Sequence, residues 1–193
     1  MSMIGELTHF LRLQIRQQDS GTFLSQSKYA KNLVKKFGLG FASSVRTPIS
    51  PNVKLTVDLI GKSVNLSLYR SMVGSLLYLT ASRPDISYSV GVCARYQDNP
   101  KESHMTVLKR IIKYVKTTAK FGVWYSKDTS DVLVGYSDPD WVGNADDRKT
   151  TSWSCFYVGN NLVSWMSKKH NSISLSTAEA EYIATGSCYI QLL

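Results

Sequence analysis

The hydrophobic period of this chain changes from helical to strand-like near residue 120, and the change limits the folds open to it. Between residues 104 and 119 apolar residues recur at helical spacing, whereas after residue 121 they fall in short segments typical of strands. The sequence therefore predicts a mixed fold of the α+β or α/β class, in which a helical region precedes an antiparallel sheet.

Length and composition set the broad class of protein. The 193 residues, of which 43% are hydrophobic, suffice for one substantial core or two small domains. No apolar run reaches the length of a membrane span, and the start "MSMIGELTHF" lacks a signal-peptide pattern. We therefore expect an intracellular protein, cytoplasmic or nuclear, without a membrane partner. The widely spaced Cys93, Cys155 and Cys188 are predicted to be buried thiols.

Charge is distributed unevenly along the chain. Residues 1–130 contain 19 Lys and Arg against 7 Asp and Glu, a net charge of +12, whereas residues 131–193 contain 4 against 7, a net charge of −3. A basic part can bind a phosphate backbone while an acidic part binds cations. The alternative is that the lysines only keep the helices soluble.

The first predicted region, residues 1–65, combines a hairpin, a helix and a linker. "ELTHFLRLQIRQ" alternates, with Phe10, Leu13 and Ile15 as the expected inward positions, and "QDSG" follows as a turn before "TFLSQ". "SKYAKNLVKKFGLG" has the spacing of an amphipathic basic helix. Residues 43–65, around Pro48 and Pro51, show no helical period and are predicted to be an extended linker.

The second predicted region, residues 66–130, is mainly helical. Two apolar segments are expected to form a helical hairpin, with Pro84 as the first residue of its second helix. "SHMTVLKRIIKYVKTTA" then predicts a helix with one apolar face. Its other face carries the candidate nucleic-acid-binding residues Lys109, Arg110, Lys113 and Lys116. An ordinary solvated helix face is an equally good interpretation.

The third predicted region, residues 131–193, follows a change to strands. "FGVWYS", "VLVGYSD", "SWSCFYVG" and "LVSWMSKK" together predict an antiparallel sheet, and the last three belong to residues 131–193. The final helix begins in "SLSTAEAEYIATGSC", where Ser176 and Glu179 have the spacing of a capping box. We therefore expect three antiparallel strands and one helix in this region.

Carboxylates cluster at the end of one of these strands. Four aspartates fall between residues 138 and 147, and Asp138 and Asp140 have the spacing of one strand face. Glu179 has a capping role available, so Glu181 is the freer glutamate. A metal site for phosphodiester chemistry is one interpretation, and a solvated polar loop is the other. A calcium loop is excluded, since Val142 and Lys149 occupy ligand positions.

Several motifs resemble one known family. "LVGYSDPDWVGNADDRKTTS" and "LVSWMSKKHNSISLSTAEAEY" are similar to the ribonuclease H region of copia-type retrotransposon Pol polyproteins. "IGELTHFLRLQI", "GTFLSQSKYAKNLVKKFGL", "YRSMVGSLLYLTASRPDISYSVG" and "HMTVLKRIIKYVKTT" resemble, in the same order, the part that follows the polymerase catalytic centre. The resemblance implies a thumb-like region, a connection-like region and a partial ribonuclease H-like domain.

The resemblance also implies a site and its partners. The first ribonuclease H carboxylate of the family falls on Asp138, and the second on Glu181. Both are expected to be catalytic residues and ligands of Mg²⁺ or Mn²⁺. The expected partners are an RNA–DNA hybrid or other duplex nucleic acid and the rest of a Pol polyprotein.

Departures from the family pattern change the expected activity. No Y-x-D-D turn occurs, the two later ribonuclease H carboxylates do not fall within 193 residues, and Arg12 and Trp153 stand where the family usually has Gly. We therefore expect a truncated fragment, a decayed copy without catalytic activity as it stands. The alternatives are a nonenzymatic nucleic-acid-binding module and an unselected reading frame.

Overall fold

A computed structural model describes residues 7–50, 53–141 and 146–193. The described chain is a mixed α+β structure with two antiparallel sheets. Its helices are α1 (Ser27–Lys36), α2 (Leu66–Leu79), α3 (Pro84–Ala94), α4 (Glu102–Thr117) and α5 (Thr177–Leu192). Its strands are β1 (His9–Phe10), β2 (Leu13–Gln18), β3 (Gly21–Ser25), β4 (Gly122–Ser126), β5 (Leu133–Asp140), β6 (Thr151–Val158) and β7 (Asn161–Lys169). Within the described ranges, no helix combines the length and apolarity needed to cross a bilayer.

The predicted N-terminal hairpin and helix are confirmed. β2 and β3 pair antiparallel around the expected turn, and α1 buries Ala30, Leu33 and Val34. The inward position of Phe10 was wrong, since its side chain is 55% exposed. β1 has two residues and lies at the sheet edge, where it pairs with β2, so the described residues leave most of the Phe10 side chain uncovered. Residues 4–6, Pro51 and Val142 lie outside the described residues.

The helices build the main hydrophobic core. The predicted α2–α3 hairpin is confirmed, with Pro84 as the first residue of α3. The apolar face of α4 is buried against it, and the resulting cluster runs from Ala30 to Ala119. Arg83 is buried inside this unit, where its guanidinium pairs with Asp85 at 2.7 Å and also donates to the Thr118 hydroxyl at 2.7 Å. The first two predicted regions therefore share one hydrophobic core.

One strand pairs differently from the prediction. The "FGVWYS" strand, β4, was expected to join the later strands, but it pairs with β3 in the first sheet, whose order is β1-β2-β3-β4. Gly21 and Gly122 allow this pairing, since an added Cβ on either residue would approach a facing carbonyl oxygen to about 2 Å. The long helix α4 brings the chain back to β3, and periodicity alone carries no information about that return.

The second sheet has the predicted composition. β5, β6 and β7 form an antiparallel sheet in that order, and α5 packs against β5. The expectation of three strands and one helix in residues 131–193 is confirmed for the described residues. All three cysteines are buried and free, as predicted. β5 is an edge strand of this sheet, and one of its long sides is unpaired by the described chain.

The turn between β1 and β2 predicts a stabilising substitution. Leu11 and Arg12 have φ values of 46° and 62°, a conformation that costs a non-glycine residue about 1–2 kcal/mol. The Arg12 guanidinium also lies 5.8 Å from the Tyr29 ring centroid, and losing that contact costs about 0.5–1 kcal/mol. Relief of the backbone is the larger effect, so Arg12→Gly should raise the free energy of unfolding by about 0.5–1 kcal/mol.

The control is Arg16→Gly, on the exposed face of β2, which should lower the free energy of unfolding by about 0.5–1 kcal/mol because glycine weakens a strand interior. Urea unfolding of both variants measures the difference. A loss of stability in Arg12→Gly would contradict the assignment of this turn.

Candidate acidic site at the end of the second sheet

Asp138 lies near the end of β5, on the face of the second sheet that is turned toward α3. Gly135 identifies the opposite face, since an added Cβ there would lie 2.8 Å from the Cys188 Sγ of α5. Side chains alternate along a strand, so Asp138, three residues further, projects away from α5. The helix that carries Glu181 therefore packs on the other face from the Asp138 side chain.

The Asp138 face opens into a cleft of about 610 Å³ between α3 and the second sheet. Asp138, Asp140, Tyr88 and Arg95 line it, and Trp153 stands directly opposite Asp138 in the β5–β6 register. The family resemblance implied glycine at the Trp153 position. An indole in that place narrows the approach to Asp138 from the α3 side.

Glu179 and Glu181 have different surroundings at the start of α5. Ser176 is the N-cap, and its hydroxyl accepts a hydrogen bond from the Glu179 backbone N–H at 3.2 Å. The Glu179 carboxylate accepts from the Leu175 backbone N–H at 2.6 Å. The capping role predicted for Glu179 is confirmed, although its partner is Leu175 rather than Ser176. Glu181, one helical position beyond the buried Ala180, is exposed.

One hydrogen bond joins the end of β5 to the approach to α5. The indole N–H of Trp141, just after β5, donates to the Ser174 carbonyl at 3.3 Å. Asp138 and the segment before α5 are thereby held at the same end of the sheet. The sharing of one cation by Asp138 and Glu181 stays a prediction.

Carboxylate oxygens suit Mg²⁺ or Mn²⁺ in kind, since these cations bind oxygen ligands. A two-metal centre needs several such groups around one point. In residues 7–50, 53–141 and 146–193, however, no three His, Cys, Asp or Glu side chains come together as a possible metal site. The carboxylates of the described residues are therefore suitable ligands for these cations, but too few of them lie together to hold two ions.

The neighbouring aspartates have structural partners. The Tyr88 hydroxyl of α3 donates to the Asp140 carboxylate at 2.7 Å. The Tyr96 hydroxyl, just after α3, lies 3.3 Å from the Asp146 carboxylate, while its shorter hydrogen bond is donated to the Leu55 carbonyl at 2.8 Å. We call the Tyr88–Asp140 and Tyr96–Asp146 contacts the aspartate latch. The metal hypothesis from the sequence did not include this role, and the only signal for it was two tyrosines eight residues apart.

Further bonds extend the latch. The Asp146 carboxylate also accepts from the Val57 backbone N–H at 3.0 Å, which ties the linker to it. The Asp147 carboxylate pairs with the Lys169 ammonium of β7. Burial alone would raise the pKa of Asp147, but the bonds from Lys169 and from the Lys149 backbone N–H hold that pKa below its usual range. Asp147, between β5 and β6, is therefore an ion-pair partner of β7.

The phenols of the latch remain donors at neutral pH. Burial raises the pKa of Tyr88, and its hydrogen bond to Asp140 raises it further. Burial raises the pKa of Tyr96 to about 12, with the Asp146 charge acting in the same direction. Both hydroxyls therefore stay protonated, so that Tyr88 donates to the Asp140 carboxylate and Tyr96 donates chiefly to the Leu55 carbonyl beside Asp146.

Comparisons with known proteins decide the family. The chain is 37% identical over 177 residues to the retrovirus-related Pol polyprotein from transposon RE1 of Arabidopsis thaliana, covering 92% of this chain and 12% of that polyprotein. It is 33% identical to the corresponding polyprotein from transposon TNT 1-94 of Nicotiana tabacum, covering 95% and 14%. An uncharacterised mitochondrial protein of Arabidopsis thaliana is 35% identical, covering 95% and 76%. This chain belongs to the copia-type retrotransposon Pol polyprotein family.

This chain of 193 residues, which we call the Pol segment, is therefore derived from a retrotransposon. The resemblance noted in its motifs is confirmed. It spans 12% to 14% of the length of the transposon polyproteins to which it is similar. No protein-family model matches the chain, and no solved structure matches it.

The candidate nucleic-acid-binding cations of the Pol segment are not equivalent. The Arg110 guanidinium donates to the Thr47 carbonyl at 3.2 Å and to its hydroxyl at 3.0 Å. The Lys116 ammonium donates to the Ala42 carbonyl at 2.8 Å. Lys109 is exposed and Lys113 is half-buried. Two of the four cations therefore hold the segment after α1 on α4, and binding of nucleic acid by the set stays a prediction.

The two glutamates of α5 give a test of their division of roles. Glu179→Ala removes the acceptor of the Leu175 N–H and a favourable charge in the first turn, so it should lower the free energy of unfolding by about 1 kcal/mol. Glu181→Ala changes an exposed side chain and should stay within about 0.5 kcal/mol of the unsubstituted protein. Urea unfolding compares the pair. Equal losses in both variants would show that Glu181, too, has a structural role.

Proposed function

We propose that the Pol segment comprises the last part of a reverse transcriptase and the first part of a ribonuclease H-like domain. Its ancestral role is RNA-directed DNA synthesis and hydrolysis of the RNA in RNA–DNA hybrids. The observation that carries this proposal is the second sheet: three consecutive antiparallel strands are followed by a helix that returns onto the first of them. The family carboxylates then fall at the end of β5, on Asp138, and in the early part of α5, on Glu181.

Two contacts support the ribonuclease H-like arrangement. The Trp141–Ser174 hydrogen bond brings the end of β5 and the approach to α5 together. The capping role of Glu179 leaves Glu181 as the glutamate available for chemistry. When bound, Mg²⁺ or Mn²⁺ would supply activation of water and stabilisation of the leaving oxygen. The family pattern makes Asp138 and Glu181 the residues that would hold it, although Asp138 projects from the face of β5 opposite α5, so Glu181 would have to approach it around the end of the strand.

We propose further that these 193 residues do not hydrolyse RNA by themselves. Two carboxylates from different elements do not surround a pair of ions, and the described residues bring no third acidic or imidazole group to them. β5, which carries Asp138, pairs on one side only among the described residues, so we expect this ligand strand to be less firmly held than a central strand. Since displacement of a reacting group by about 1 Å already costs about a hundredfold in rate, a mobile ligand has a large effect.

The test is incubation of the purified chain with a labelled RNA–DNA hybrid in Mg²⁺ or Mn²⁺, with cleavage and retention of the hybrid measured together. We expect retention without cleavage above the background of the Asp138→Asn variant, which keeps the side-chain shape but loses the charge. Cleavage by the unsubstituted chain that disappears in Asp138→Asn would contradict the proposal of inactivity.

A second candidate function is nonenzymatic binding of duplex nucleic acid, inside the cell and beside the rest of a Pol polyprotein. The uneven charge favours it, because residues 1–130 carry a net charge of +12. Lys109 is exposed on α4 and has no structural role in the contacts described above, whereas Arg110 and Lys116 each hold another segment. Phosphate contacts by such lysines give affinity without sequence preference.

Salt dependence separates the two kinds of cation. If all four side chains contact phosphates, replacing them with Ala should flatten the logarithmic salt slope by about 3 to 4, at about 0.9 for each contact. Lys109→Ala with Lys113→Ala alone should flatten it by about 2 and leave unfolding nearly unchanged.

The matched control is Arg110→Ala with Lys116→Ala, which removes the same charge. This pair should also lower the free energy of unfolding, because it frees Thr47 and Ala42 from α4. A salt slope that is unchanged in the quadruple variant would remove α4 from the interface.

A further inference from the structure

Three buried polar atoms lack a hydrogen-bond partner in the part of the chain that the structure describes. They are Thr150 Oγ1, His170 Nδ1 and Ser174 Oγ, on residues that are at most 6% exposed. Leaving one such group unpaired costs roughly tenfold or more in the folding equilibrium constant. Each of these groups therefore calls for an explanation.

The strand register shows that the three residues are neighbours. The His170 backbone N–H donates to the Thr150 carbonyl at 2.8 Å, which continues the β6–β7 ladder one residue beyond the Thr151–Lys169 pair. Thr150 and His170 are thus directly opposite and project from the same face. His170 Nε2 lies 2.6 Å from the Ser152 Oγ on that face, which fixes the orientation of its ring.

A contact with Trp141 places Ser174 near Thr150 and His170. Asp140 pairs with Thr151, so Trp141 follows β5 at the level of Thr150. The Trp141 indole donates to the Ser174 carbonyl. The three residues that carry the unpartnered atoms therefore lie in one layer, between the end of the second sheet and the segment that leads into α5.

The chemistry of this layer selects its occupant. Two hydroxyls and one imidazole nitrogen can both donate and accept hydrogen bonds, and none carries a formal charge. Burial, and secondarily the charge of Lys168, lowers the pKa of His170, so its ring is neutral at physiological pH. An ion would lose its hydration there without an opposite charge to compensate. A neutral molecule that donates and accepts fits best.

We propose that Thr150, His170 and Ser174 enclose an internal water-binding site. Buried waters typically make about three hydrogen bonds to polar groups that are otherwise unsatisfied, which is the number of atoms available here. The bound water fastens the segment between His170 and Ser176 to the end of the second sheet. If the proposed function holds, it also positions the helix that carries Glu181, but the water site itself does not depend on that function.

Two substitutions test the site by removing its hydroxyls. Thr150→Val keeps the side-chain shape, and Ser174→Ala removes a single oxygen. If water is bound, each should lower the folding equilibrium constant roughly fivefold to tenfold. The double variant should lose less than the product of the two effects, since both lose the same water. Ser154→Ala, a buried serine on the same strand outside this layer, is the control and should change the constant less than threefold.

The water can also be detected without any substitution. Cross-relaxation in NMR between the methyl protons of Thr150, next to its hydroxyl, and a long-lived water should be present in the unsubstituted protein. It should disappear in the double variant. If that signal is absent from the unsubstituted protein, or if Thr150→Val and Ser174→Ala leave stability equal or higher, the layer is empty and the proposal is wrong. The measurement on the unsubstituted protein decides the matter even if a variant does not fold.

Discussion

Polar contacts from Tyr88 and Tyr96 to Asp140 and Asp146, at the end of β5 and in the loop after it, join the second sheet to α3, beside the packing of β7 on α3 and β4. The buried hydrophobic cluster of the helices ends at Ala119 and includes no described residue of that sheet or of α5. Polar contacts therefore do much of the joining: Tyr88 to Asp140, Tyr96 to Asp146, Arg95 to the Thr151 hydroxyl at 2.7 Å, and Trp165 to the Thr80 carbonyl at 3.0 Å. A hydrogen bond to a charged group contributes about 1.5–3 kcal/mol, less where the group is exposed.

This use of charge changes the meaning of the acidic cluster. Of its four aspartates, three serve as acceptors for α3, the linker or β7, and Asp138 and Asp140 both line the cleft, with Asp138 beside Trp153. The basic face of α4 is divided in the same way, because Arg110 and Lys116 bind backbone carbonyls of their own chain. Net charge therefore overstates how many carboxylates are available to bind cations and how many basic side chains are available to bind nucleic acid. The proposed function rests on fewer side chains than composition suggests.

Features that depend on local sequence patterns were predicted correctly, whereas long-range contacts were not. The apolar stripe of α4 and the cap at Ser176 follow from spacing within a few residues, so both were visible in the sequence. The pairing of β4 with β3 was missed, because it joins strands about 100 residues apart and the period within a segment does not identify its pairing partner. The Tyr88–Asp140 bond joins positions 52 residues apart, and no periodicity links them. The motifs therefore predicted the candidate residues of the site, but not the residues that surround them.

Differential scanning calorimetry of a variant that combines Tyr88→Phe with Tyr96→Phe tests this account most directly. The substitutions remove only the two hydroxyls and leave the rings in place. The account predicts that the second sheet then unfolds at a lower temperature than the helical core, so that one transition becomes two. A single transition at the temperature of the unsubstituted protein would show that the aspartate latch does not hold the two parts together.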